Sequence, residues 1–247
     1  MTRRLGVVVF VIGLTATVGA AVAATGGGSD PGGRAAAKKP LPFEASDLYI
    51  ETNATDKDAG LQLFADAEQW RHFKLLDKNG NTMININTKG NVRKVGLSEL
   101  FMEASEPSFD EVPFSKFKKQ FPEGKYRFRG ETVGGRKMVG SDKLSHLIPD
   151  GPNLTFPTKS STLDPDGFVV TWDPVTKPAG VDIVTYEVIV EQGDRTFDMY
   201  LPGDATSGTV SGEFLKPDTK TAGEVLARDK SGNQTITQFP GGLRTSG

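Results

Sequence analysis

Val-Val-Thr-Trp-Asp-Pro-Val (169–175) and Val-Thr-Tyr-Glu-Val-Ile-Val (184–190) decide the fold of this chain. Each is a run of β-branched and aromatic residues with a period of two. Phe168, Val170 and Trp172 fall on one face of the first run, and Tyr186, Val188 and Val190 on one face of the second. The strand of the first run ends at Trp172, and 173–180, with Pro174 and Pro178, which cannot donate to a ladder, is a loop. Downstream, Gly193-Asp194 marks a turn. Further strands are predicted over 196–201, 206–210, 221–229 and 233–239, the last two joined by the loop 229–233. Short strands at this spacing predict a β-sandwich over 157–240.

This stretch resembles a fibronectin type III domain. The resemblance is carried by the two quoted runs, by Phe-Leu-Lys-Pro-Asp-Thr (214–219), by Glu-Val-Leu-Ala-Arg-Asp (224–229) and by Ser-Gly-Asn-Gln (231–234). It implies strand B with its core Trp172, strand C with its Tyr186, the E–F loop, strand F and the F–G loop, in that order. The chain departs from the family where an aromatic is expected near the start of strand F. Thr221 and then Gly223 stand there, which predicts a loosely packed strand start unless another side chain fills the space. The F–G loop also lacks the Arg-Gly-Asp sequence some members use for adhesion, so integrin-type binding has no support.

Upstream, 43–154 reads as an antiparallel β-domain with a short helical insertion. The run 47–52 alternates, and 60–66 places Leu61, Leu63 and Ala65 on one face with Gln62, Phe64 and Asp66 on the other. Strands over 70–76 and 83–87 flank Asn79-Gly80, a strong hairpin signal. Helix-forming residues from Leu97 and the spacing of Phe114, Phe117 and Phe121 predict two short helices within 97–121, parted near Pro107 and ended by Pro122. A closing hairpin follows, over 124–129 and 137–148, turned at Gly134-Gly135. Together with Glu51–Leu61, Pro107–Glu111 and Phe121–Gly130, this arrangement is similar to bacterial secreted proteins that carry a fibronectin type III domain behind such a region. Those proteins form an uncharacterised family without an assigned activity, so the resemblance implies architecture and not chemistry.

Residues 1–24 read as a secretory signal peptide: Arg3 and Arg4, an apolar run from Val7 to Val18, and Ala21-Val22-Ala23 before the cut. The apolar run is shorter than the roughly 20 residues of a spanning helix, so no membrane span is expected after cleavage. Residues 25–42, rich in Gly, Ala and Pro, read as a flexible linker. The expected location is therefore the periplasm or the exterior. The 247-residue chain carries a formal net charge of −2 and no cysteine. Loss of Arg3 and Arg4 makes the remainder more acidic still. This balance argues against nucleic acid as a partner, and the missing thiols exclude disulfides, thiolate metal sites and cysteine nucleophiles.

No catalytic signature accompanies His72 or His146, and neither a cofactor nor a metal is expected; the chain reads as a binding module and not an enzyme. Asp56 and Asp58 resemble a piece of a calcium loop, with a surface turn as the default reading. The acidic residues Glu99, Glu103, Glu106, Asp110 and Glu111 read as a solvated face. A binding surface is expected at Phe109, Phe114, Phe117, Arg127 and Arg129. The partner expected there is a protein in the envelope or outside the cell. The alternative is a polysaccharide, which exposed Trp70 or Tyr126 would favour and their burial would count against.

Overall fold

The computed structural model describes residues Lys38–Gly247. The signal peptide expected over 1–24 and most of the expected linker lie outside them. The linker's end is structured: Leu41–Pro42 is a two-residue strand, β1. Then come β2 (Ala45–Asn53), β3 (Asp58–Leu76), β4 (Thr82–Asn87), α1 (Gly90–Val95), β5 (Leu97–Glu103), α2 (Phe114–Gln120), β6 (Gly124–Thr132) and β7 (Lys137–Leu144). The C-terminal part holds β8 (Asn153–Phe156), β9 (Gly167–Asp173), β10 (Ile183–Gln192), β11 (Arg195–Pro202), β12 (Ser207–Ser211), β13 (Ala222–Asp229) and β14 (Gln234–Gln238).

The chain is mainly β. In the C-terminal part, a sheet in the order β12-β9-β8 faces strands in the order β11-β10-β13-β14. That is the three-on-four arrangement of a fibronectin type III sandwich. Its core contains Val170, Trp172, Tyr186, Val188, Val190 and Val225, the inward residues of the alternating runs. Strand β8, with no counterpart among the strands expected from the sequence, adds Leu154 and Phe156 to this core. The space left by Gly223 is filled. A Cβ there would stand 2.5 Å from Phe239 Cε2, so the Phe239 ring occupies the place of the missing aromatic. Thr221 is buried, accepting from Gln192 Nε2 at 2.8 Å and donating to the Thr219 carbonyl. Strand β13 therefore starts packed, not loose.

The N-terminal part is organised by β3, which runs through 19 residues. Its first half lies between β2 and β5, and its second half between β4 and β6. Register shifts around Trp70 mark the bend between the halves. Phe73 is the hub of this core, with ring centroids 6.0 Å from Phe43 and Phe128 and 5.7 Å from Trp70. Burial of each such ring contributes about 1.5–3 kcal/mol. Helix α2 packs on the same core: Phe117 is buried, with Phe114 and Phe121 beside it.

The expected helix from Leu97 is instead strand β5. Leu100 and Met102 face inward while Phe101 and Glu103 face out. Pairing with the open side of β3 outweighs helix propensity here. A short helix forms just before it, at α1.

Strands β14 and β2 pair in parallel, so one eleven-stranded sheet runs through both parts. Asn233, fully buried in the loop before β14, locks this junction. Its Oδ1 accepts from Ile50 N at 2.8 Å, and its Nδ2 donates to the Ser145 and Leu147 carbonyls at 3.0 and 2.9 Å. Thr52 and Thr235 bond beside it.

Candidate functional site

The structure separates the residues singled out in the sequence. Phe117 is buried, and Phe109 and Phe114 are half-buried, their rings tilted against each other with centroids 5.0 Å apart. Arg127 and Arg129 lie elsewhere in the fold, on β6. Trp70 and Tyr126 are both fully buried, so neither offers a flat ring for a sugar. His72 Nε2 bonds Asn85 Oδ1 at 3.0 Å, and His146 Nε2 bonds the Phe121 carbonyl at 2.8 Å. Asp77 accepts from Asn79 N and from Asn81 N and Nδ2, which closes the hairpin and holds its carboxyl below the usual range. Asp56 accepts from Gln238 Nε2 across the junction, whereas Asp58 is buried in β3. These two neighbouring aspartates thus have different surroundings.

One outer face of the N-terminal part is basic. Alternation along β6 turns Tyr126 and Phe128 into the core and leaves Lys125, Arg127, Arg129 and Glu131 on the other side. Register extends the row: Lys74 of β3 lies across from Arg129, and Lys143 of β7 across from Lys125. Val139, opposite Arg129 and 37% exposed, is an apolar spot within it. The carboxylate on this face, Glu131, is engaged by Lys137 and Arg71, whose bonds hold it down to about 2. Arg127, Arg129 and Lys74 remain as the cationic row.

The continuous sheet presents a different face around the junction. Glu51 of β2 accepts from Gln234 Nε2 of β14. Across β2 its register partner is Gly60 of β3. A Cβ on Gly60 would stand 2.6 Å from Glu106 Oε1, so the missing side chain leaves a hollow that receives this carboxylate. Two residues along β3, Gln62 lies across from Glu103 of β5. Oxygens of Glu51, Glu103 and Glu106 all come within 4.8 Å of one another. Burial pushes Glu51 up to about 7; Gln234 works against this, and Glu103 and Asp58 add to it. Farther along the same face burial raises Glu224 to about 7, and burial with Asp198 alongside raises Glu187.

In the sequence Glu103 and Glu106 look like part of a solvated face. Strand pairing is what carries them to Glu51, some fifty residues away in the chain. The one local signal was the alternation of Leu100 and Met102 with Phe101 and Glu103.

No protein-family model matches the chain, and no curated protein matches it. Among solved structures, it is similar to the FN1–FN3 domains of chicken CNTN1, at 9% identity and a TM-score of 0.32, over 84% of this chain and 65% of that one. It is also similar to the BSP domain of a biofilm-associated protein, at 13% identity and a TM-score of 0.25, over 83% and 29%. A third is a two-domain fibronectin type III segment of chicken tenascin, at 12% identity and a TM-score of 0.28, over 79% and 96%. The chain thus spans less than two thirds of the first two. At these scores the fold rests on its own strand order.

Proposed function

We propose that this chain is a non-catalytic, exported binding module that engages a protein partner through the outer face of β3, β6 and β7. The observation that carries the reading is the cationic row Lys74, Arg127 and Arg129 around Val139, beside a Glu131 already taken by Lys137 and Arg71. An arginine pair at this spacing suits carboxylates on a partner, because the guanidinium fork binds them bidentately. The half-buried rings Phe109 and Phe114, backed by Phe117 and lying away from this row, are proposed as a second, separate apolar contact. Export rests on the leader-like residues 1–24. Among the described residues no helix is long and apolar enough to cross a membrane.

The test is crosslinked capture from native envelope extract with the full chain and with Arg127→Glu/Arg129→Glu. The expected result is one enriched protein, lost with the double variant. Capture of polysaccharide alone, or equal capture by both chains, would overturn the reading. The buried Trp70 and Tyr126 already count against a carbohydrate platform.

A further inference from the structure

We propose that Glu51, Glu103 and Glu106 bind a calcium ion, with the side-chain oxygen of Gln62 as the neutral ligand. The three carboxylates converge from β2, from the end of β5 and from the segment after it, with oxygens within 4.8 Å of one another. Gln62 supplies an independent observation. It is 2% exposed, it stands on the carboxylate-bearing face across from Glu103, and its Oε1 is buried with no hydrogen-bond partner. A buried amide oxygen without a donor is costly. Carboxylate neighbours cannot relieve it, because ionised carboxylates only accept. A cation placed among these groups satisfies the amide oxygen and offsets the repulsion that Glu103 exerts on Glu51.

The donor set chooses the cation. Every ligand is an oxygen, which favours calcium, magnesium or manganese over zinc or copper. Carboxylates that chelate with one or both oxygens, from three separate segments, suit calcium's flexible shell of six to eight oxygens. Magnesium demands a stricter octahedron and gives up its waters reluctantly. Gly60 is part of the site, because its bare Cα lets the Glu106 carboxylate lie against β3. Buried Asp58, two residues before Gly60, adds negative charge that already acts on Glu51. This site differs from the Asp56–Asp58 loop considered in the sequence, since Asp56 is spent on Gln238.

The experiment is calorimetric titration of calcium alone into the chelator-treated full chain, with thermal melting in parallel. The expected result is a single saturable site in the ~0.1–1 mM range of extracellular modules, with a matching rise in Tm. Glu103→Gln and Gly60→Ala should each weaken binding by about tenfold or more. Glu103 is exposed and Gly60 meets only a flexible side chain, so neither variant should melt below the parent without calcium. Glu99→Gln, farther along β5, should bind like the parent. No saturable binding by the parent, or parental affinity in both Glu103→Gln and Gly60→Ala, would overturn the proposal. Neither result bears on the basic face, where the partner is proposed to bind.

Discussion

The two cores are held by different means. In the C-terminal sandwich, Val170, Trp172, Tyr186, Val188 and Val190 come from strands whose alternation is visible locally, and two facing sheets bury them. The N-terminal core is an aromatic cluster around Phe73, bounded by one long bent strand and packed by α2. The first core is written within each strand; the second depends on segments distant in sequence. Between them lies a polar junction, where Asn233, in the loop before β14, is buried by its bonds to Ile50, Ser145 and Leu147. The binding face we propose lies on β3, β6 and β7, not on that loop.

Substitutions probe this contrast with effects of graded size. Phe117→Ala removes the α2 side chain most deeply set in the N-terminal core, and should cost about 3–5 kcal/mol by chemical denaturation. A loss under about 1 kcal/mol would mean that α2 is only a surface cover. Asn233→Ala strips three junction hydrogen bonds and leaves the buried Ile50 N–H without its acceptor. About 2–3 kcal/mol should be lost, and the unfolding transition should broaden as the cores uncouple. Gly223→Ala presses a Cβ on the Phe239 ring and on the Ile189 carbonyl, and should cost about 1–3 kcal/mol.

The smallest effect is the pH profile of stability measured without calcium. Burial raises Glu51 and Glu224 to about 7, so each binds its proton more tightly folded than unfolded. Their contribution is complete below the ordinary carboxylate range and is lost as pH rises through about 7. Denaturation midpoints should fall from about pH 5 to about pH 8, and Glu51→Gln/Glu224→Gln should flatten that fall.

Legibility in the sequence followed the same division. The six C-terminal strands expected from period and turn residues are all present as β9 to β14. Strand β8 was missed because its four residues are too short for a period to show. In the N-terminal part the Asn79-Gly80 hairpin and the inward Leu61, Leu63 and Ala65 were readable from local chemistry. Strand β5 was not, since Leu97–Met102 has helical propensity and only the edge of β3 makes it extended. That error hid the carboxylate hollow, which depends on Glu103 and Glu106 reaching β2. Arg127 and Arg129 were identifiable from alternation alone, while Lys74 and Lys143 joined them only through register.

The most direct measurement compares affinity for the captured partner at two places on the surface. Arg127→Glu/Arg129→Glu reverses the basic face; Lys230→Glu changes an exposed residue of the loop that ends in Asn233. Partner binding should collapse with the double variant and stay at the parental level with Lys230→Glu. Loss of binding with Lys230→Glu alone would contradict the account and return recognition to the loop.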